Sequence, residues 1–419
     1  MKKMKRTLAI ISLLLLCAIS VNLVSCRMPI QAEDLMKNVS PNDVSGLNDL
    51  DAGNTAVTDF AVRLFKRMSD QGRNTLISPL SILSALAMTA NGAAGQTLEQ
   101  MESVLGMSVD ELNLYLYTYV NSLPQGKNYK LSLANSIWFT EDERLIVNRS
   151  FLQKNADYYG AEIYKAPFND QTLRDINNWV DYETDGMIPK VIDDVSEDTI
   201  MYLVNALAFD ADWMDQYVKS QVSDAVFTKE DGTKQSVKMM YSREGQYLED
   251  EKATGFIKYY KGGKYAFAAL LPKEGVSLDE YISSLNGEGL SEILNNSVNA
   301  EVNTAIPKFE TEFDAELSDV LSSIGMVNAF DENLSDFSNL GGYAGGKINI
   351  SAVIHKTYIQ VGEKGTRAGA VTVVEMDAGA SPNPEEPKEV YLDRPFVYML
   401  IDCENNIPFF IGSMTDINE

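Results

Sequence analysis

Between Thr366 and Asp377 the chain alternates strictly. Thr366, Ala368, Ala370, Thr372, Val374 and Met376 are small or apolar and uncharged. The residues between them, Arg367, Gly369, Val371, Val373, Glu375 and Asp377, hold every charge of the segment. A repeat of two marks a strand with one face buried and one in water. Downstream, Pro382, Pro384, Pro387 and a string of carboxylates read as an exposed loop. A segment written as a strand therefore sits inside a long loop. Elsewhere the pattern is that of a large mixed fold. Residues 134–139 (ANSIWF) and 201–209 (MYLVNALAF) are near-continuous apolar runs, as in central strands covered on both faces. Residues 265–271 form a strand running into the turn PKEG, and 396–402 and 407–412 form two strands joined by Glu404-Asn405-Asn406. Helical spacing appears at Ala61, Leu64, Phe65 and Met68, closed by Gly72, and at Leu317, Val320, Leu321 and Ile324, ended by Gly325. Residues 79–90 form a helix of small residues, and 176–180 start another that stops at Gly186. Strands and helices mix without strict alternation, which predicts an α+β fold in one large domain.

At 419 residues and 45% hydrophobic, the chain can bury a sizeable core. Its formal charge of -25 argues against a nucleic-acid partner, whose phosphates need basic stripes, and against an anionic polysaccharide. Residues 1–25 read as a signal peptide, with Lys2, Lys3, Lys5 and Arg6 before an apolar stretch from Leu8 to Leu23. The segment ends in Leu23-Val24-Ser25-Cys26, which resembles the bacterial lipobox. That resemblance implies cleavage before Cys26, lipidation of its thiol and a membrane anchor. Removing four basic residues leaves the mature chain at -29. Arg27 after the cysteine implies, again by resemblance, the outer membrane, with periplasmic face and cell surface both open. Residues 26–54 are polar, Asn/Asp-rich and without periodicity, and read as a lipid-anchored flexible tether. Cys403 alone remains in the body, so no intramolecular disulfide framework is available, and it reads as a buried, inert thiol in a terminal strand.

His355 is the chain's single histidine. As an enzyme residue it would be a general base, with Ser78 or Ser81 as nucleophile. As a structural residue it would be a buried polar group in need of partners. One histidine and one body cysteine build no ordinary zinc site, and no cofactor motif stands out. The glycines at 341, 342, 345 and 346 are too irregular for a phosphate loop and read as a surface turn.

A series of motifs running in order from about residue 55 to the end resembles the serpin (serine protease inhibitor) family. They are NTLISPLSI (74–82), INNWV with Thr184-Asp185-Gly186, LVNA (203–206) with Trp213 downstream, and IPKF (306–309). LSSIGMVNAF (321–330), DFS (336–338), IHK (354–356), EKGT (363–366) and DRPF (393–396) follow. Two positions depart from the family: Phe209-Asp210-Ala211 stands where Phe-Lys-Gly is usual, and Arg367 replaces a usual acidic residue. The distal half of the loop is also longer than is common.

The resemblance implies a large central mixed β-sheet with further sheets, surrounding helices and an exposed reactive-centre loop over about 363–393, in a serpin domain spanning 55–419. It also implies a trap. A protease cuts the loop, the freed segment enters the sheet as a new central strand, and the acylated protease is dragged along and distorted. The hinge would comprise Glu363, Gly365, Thr366, Arg367, Ala368, Gly369, Ala370, Val371 and Thr372, with Gly365 supplying permissive backbone at the pivot. Ser78, Ser81, Asn205 and His355 match the family's shutter, where strands must part, and Trp213 matches its breach, where the new strand enters. Family spacing puts the scissile bond between Gly379 and Ala380, with Ala378 and Ser381 as alternatives. No Arg or Lys lies in that window, and its small residues suit an elastase-like serine protease captured in a 1:1 covalent complex by a monomeric inhibitor. Papain-like and subtilisin-like proteases, a non-inhibitory serpin favoured by Arg367, and a hydrolase built on His355 are the alternatives.

Overall fold

The computed structural model describes residues 29–69, 73–196, 199–366 and 386–418. The signal peptide, Cys26, the hinge from Arg367 to Thr372 and the candidate cleavage residues Ala378, Gly379, Ala380 and Ser381 lie outside the described residues.

Among the described residues, three sheets, of seven, nine and two strands, and a set of helices make up the molecule. The first sheet contains, in chain order, β1 (Glu33–Asp34), β2 (Tyr129–Thr140), β3 (Glu162–Ala166), β4 (Met201–Asp212), β5 (Phe309–Glu316), β6 (Ala352–Val361) and β7 (Gly365–Thr366). Their spatial order is β1-β3-β2-β4-β7-β6-β5, with β4 and β6 also paired directly. Parallel and antiparallel pairs mix, as α+β requires: β2–β3 and β4–β6 run parallel, β2–β4 and β5–β6 antiparallel. The second sheet, of nine strands, holds Tyr265–Pro272, Phe396–Asp402 and Ile407–Met414 at its centre. These three are buried throughout, which explains their largely apolar sequence. Val298–Pro307 and Lys234–Glu249, in the same sheet, were harder to read because only part of each is buried.

Five helices position the site: α1 (Asp51–Met68), α2 (Pro79–Ala90), α3 (Val109–Ser122), α4 (Arg149–Tyr159) and α5 (Asp170–Glu183). α2 is buried along its whole length. Ser78 caps it, its hydroxyl accepting from the Ser81 amide, and Pro79 takes the first turn, where its missing N–H costs nothing. α5 begins at the Asn169 cap, earlier than the apolar spacing suggested. One face of the first sheet packs into the main core. The other packs Trp138, Tyr164 and Val204 against Ile176, Trp179 and Val180 of α5, so β2 and β4 are covered on both faces. Residues 341–346 divide: Gly341–Tyr343 is a short strand paired with Leu145–Val147, and only the following residues turn.

The stretch expected as a flexible tether is, in its described part, laid against the body. The amides of Gln31 and Ala32 donate to Asp175 Oδ2 of α5 at 2.9 and 3.0 Å. β1 pairs antiparallel with β3 at the sheet edge. Asn42 binds Asp157 of α4, and the Leu47 amide donates to Thr118 Oγ1 of α3. Polar composition misled here because the segment docks through hydrogen bonds to helix side chains and a strand edge, which leave no apolar period. α1 also starts at Asp51, before the expected domain boundary.

Candidate functional site

β4 and β6 meet in two different ways along their length. Over their lower halves they pair directly, Ala352–Lys356 against Tyr202–Ala206 in parallel register. At the upper end β7 stands between them. Thr366 is registered against Ala211 of β4 on one side and Val361 of β6 on the other, and Gly365 against Asp212. Between these contacts lie four residues of each strand, 207–210 on β4 and 357–360 on β6.

β7 is latched in place. The Trp213 amide donates to Lys364 O at 2.7 Å and the Tyr217 amide to Glu363 O at 2.9 Å. Trp213 Nε1 donates to Gly362 O at 2.8 Å. The Thr366 hydroxyl bonds the hydroxyl of Tyr260, and Thr366 is 1% exposed. Trp213 stacks on Tyr260 with centroids 4.4 Å apart. Beneath them lies Lys258, a buried lysine paired to Glu244 at 2.8 Å and set against the rings of Trp213 and Tyr217 at 5.5 and 4.6 Å. Burial pulls its ammonium down, but Tyr217 and Glu244 outweigh that and hold it above its usual range. Glu363 pairs with Lys308 at 2.9 Å across a partly exposed edge. Burial acts to raise the Glu363 carboxyl, yet the Lys308 bond and charge leave it lowered.

Gly365 is needed here for a reason other than pivoting. Its backbone approaches β4 so closely that a Cβ would stand 1.9 Å from Ala211 O, and its φ is not in the left-handed region.

Lower down, where β4 and β6 are zipped, a buried polar cluster spans the seam. His355 on β6 is registered against Asn205 on β4, and both are 0% exposed. His355 Nδ1 lies 2.6 Å from Asn205 Oδ1, and Nε2 accepts from the Ser78 amide at 3.2 Å. The amide can only donate, so Nε2 carries the lone pair and Nδ1 the proton. Ser81 Oγ donates to the same Asn205 oxygen at 3.1 Å, and Asn205 Nδ2 donates to Ile354 O. Burial pulls the imidazole pKa down to about 3, so the ring is neutral at physiological pH. The base a hydrolase would need is thus already occupied by a backbone amide. Among the described residues, neither serine hydroxyl bonds the imidazole.

The structure therefore brings Ser78, Ser81, Asn205 and His355 together in one cluster, and Glu363, Gly365, Thr366 and Trp213 in another. Tyr217, Lys258 and Tyr260 were not singled out from sequence. A lysine inside the apolar strand Ala253–Tyr259 was the available signal. Cys403 lies in the turn just past Phe396–Asp402, not within the strand, and is partly exposed. Burial nevertheless pushes its thiol up to about 12, far from a reactive thiolate.

The family model described as Serpin (serine protease inhibitor) matches residues 55–417. The leukocyte elastase inhibitor of Equus caballus is 31% identical over 376 residues, covering 85% of this chain and 97% of that protein. Among solved structures, the thermophilic serpin tengpin in its native state has a TM-score of 0.88 and 44% identity, covering 92% of this chain and 100% of that one. Tengpin in its latent state has a TM-score of 0.79 and 40% identity, covering 89% and 100%.

Proposed function

Since the chain belongs to the serpin family, we propose that it is a suicide inhibitor of an elastase-like serine protease. The observation that carries this reading is β7, the start of the loop, standing in the sheet between β4 and β6 with Thr366 facing inward. Continuing that antiparallel register gives each following residue a place. Residues 367–370 fall into the four-residue interval beside 207–210 and 357–360. Residues 371–375 fall beside 206–202 and 356–352, where β4 and β6 must first unzip. Parity then turns Ala368, Ala370, Thr372, Val374 and Met376 to the side of buried Thr366, and the charged residues to the other. Thr372 arrives between Asn205 and His355, so the polar cluster must open midway through insertion.

The two family departures fit each other in this register. Arg367 comes to lie opposite Asp210 of β4, so the acidic residue standing for lysine meets the basic residue standing for an acid. Opposite charges across a strand pair contribute roughly 0.2–1 kcal/mol. This favours the inhibitory reading over the non-inhibitory one that Arg367 alone suggested.

The chemistry begins as ordinary proteolysis. The protease serine Oγ attacks the Gly379 carbonyl, the bond to Ala380 breaks, the amine of Ala380 leaves with a proton, and Gly379 remains as an acyl ester on the enzyme. The freed strand then enters the sheet before water can cleave that ester. Similarity to the horse elastase inhibitor and the small residues around Gly379 support the choice of target. We further place the protein at the bacterial outer membrane through a lipidated Cys26. Gln31 and Ala32 dock at the end of the sheet opposite β7, so this anchor would hold the loop-bearing end away from the bilayer.

Incubation with pancreatic elastase followed by denaturing electrophoresis tests the proposal. A boiling-resistant band at the summed mass of the two proteins is expected. Complete cleavage of the loop with no such band would make the protein a substrate and overturn the inhibitory reading.

A further inference from the structure

The turn from Trp213 to Tyr217 carries the latch, yet its regular pairing is limited to a single bridge from Trp213 to Tyr260. Met214 and Asp215 inside it are exposed. A turn of that kind opens easily unless its side chains hold it. It nevertheless donates to consecutive carbonyls of the chain leading into β7, those of Gly362, Glu363 and Lys364. What fixes the turn is where its two rings lie.

Both rings face one buried charge. The Lys258 side chain is 1% exposed, and its ammonium lies 4.6 Å from the Tyr217 ring centroid and 5.5 Å from that of Trp213. Trp213 also has Tyr260 stacked on it and Phe267 at its edge. For the face of Tyr217 the ammonium is the directional contact. The ammonium is fixed in turn. It donates to Glu244 Oε1 at 2.8 Å, and the same oxygen accepts from Ser242 Oγ at 2.6 Å. Ser242 Oγ lies 3.0 Å from Thr304 Oγ1 and 3.2 Å from the Tyr217 hydroxyl. A closed circuit results, from Lys258 through Glu244 and Ser242 to Tyr217 and back through the ring. A buried ion pair gains little stability over apolar side chains of the same volume, because both charges lose their water. A methionine would fill the space as well. What it would not do is fix the place of a ring, which a cation over its face does.

We propose that Lys258 is a positioning residue for strand entry. Its ammonium sets the rings of Trp213 and Tyr217 so that the turn holds residues 362–364 in line with the gap between β4 and β6. This role rests on the trapping reading. Trapping is a race between strand entry and hydrolysis of the acyl ester, so a loosened turn loses that race more often. The first cut, made in the loop beyond the latch, is unaffected.

Hydrogen exchange and elastase titration of the full-length protein test the role. The double variant Lys258→Met/Glu244→Gln removes both charges at similar volume and leaves no unpaired ion. The amides of Trp213 and Tyr217 are expected to exchange about tenfold faster in it, while the denaturant midpoint stays level or rises. Elastase is expected to make the first cut at the parent's rate, with roughly threefold more chains cut for each elastase trapped. Tyr217→Leu keeps the ion pair but removes the ring, and is expected to show the same excess cutting. The conservative Tyr217→Phe is expected to restore trapping. Parent exchange rates in the double variant, or a parent ratio of cut to trapped chains in both it and Tyr217→Leu, would overturn the proposal. So would a midpoint that falls in step with the faster exchange, which would make Lys258 a structural residue only. A parent protein that forms no complex would refute the trapping reading by itself, and the exchange rates would then decide whether Lys258 holds the turn.

Discussion

The upper and lower halves of the β4–β6 seam are the same pair of strands in opposite conditions. Above, the loop's own first residues separate them, latched by Trp213, Tyr217 and Tyr260. Below, five registered pairs and a buried histidine cluster join them. On the proposed reading, the upper half would accept a strand and the lower half would hold the barrier. This division gives a physical reason for a metastable protein. Insertion would proceed some four residues beside 207–210 and 357–360 and then meet a seam whose polar groups must be broken before a new ladder replaces them. On that reading the intact state would be held by a barrier and not by being the most stable arrangement available.

The comparison is broken most completely at its upper end. Thr366→Arg places a charge where the native side chain is 1% exposed and bonded to Tyr260. An unpaired buried charge costs several kcal/mol, so the variant is expected to be cut by elastase without forming the resistant complex. A variant that traps as well as the parent would show that β7 does not lead the inserting strand. In the lower half, His355→Ala leaves the Ser78 amide without its acceptor and opens space at a fully buried site. A loss of about 2–4 kcal/mol is expected in denaturant unfolding. An unchanged midpoint would remove the cluster from the barrier.

Acid sharpens the same point. The imidazole pKa is depressed to about 3 in the folded chain, against roughly 6.5 when unfolded. Its contribution is therefore intact above about pH 6.5 and drains as pH falls toward 3, because only the unfolded state takes up the proton. The slope is about 1.4 kcal/mol per pH unit, and His355→Gln is expected to flatten it. The smallest effect belongs to the charge pair at the top of the gap. Arg367→Glu sets two carboxylates opposite each other in the inserted strand and is expected to slow trapping several-fold, for a change of about 1 kcal/mol. Adding Asp210→Lys restores the rate if the two residues meet as proposed; additive losses would show that they do not.

Much of this was legible before the structure. Of the alternation that starts at Thr366, the described residues include only Thr366 itself, which faces inward as a strand's period requires. The apolar runs of β2 and β4 announce two covered faces, and α5 supplies the second cover. The latch was less visible. Tyr217, Lys258 and Tyr260 lie far from the hinge in the chain, and cation–π and stacking contacts leave no periodic trace. The N-terminal segment was misread because its residues are those of a solvated linker. What docks it are hydrogen bonds to Asp175, Asp157 and Thr118 and a strand edge, each needing a partner more than 70 residues away. Gly365 was read for freedom of φ, and the structure adds a second demand, the close approach of its backbone to Ala211.

The central claim is that a cut loop completes the first sheet. Thermal unfolding of the protein before and after a single cut near Gly379 tests it directly. The cut chain is expected to melt at least about 10 °C higher, because the inserted segment gains ladder bonds on both edges, and its new carboxyl end should resist carboxypeptidase. A melting temperature unchanged or lowered by the cut, with that end still open to digestion, would contradict the account.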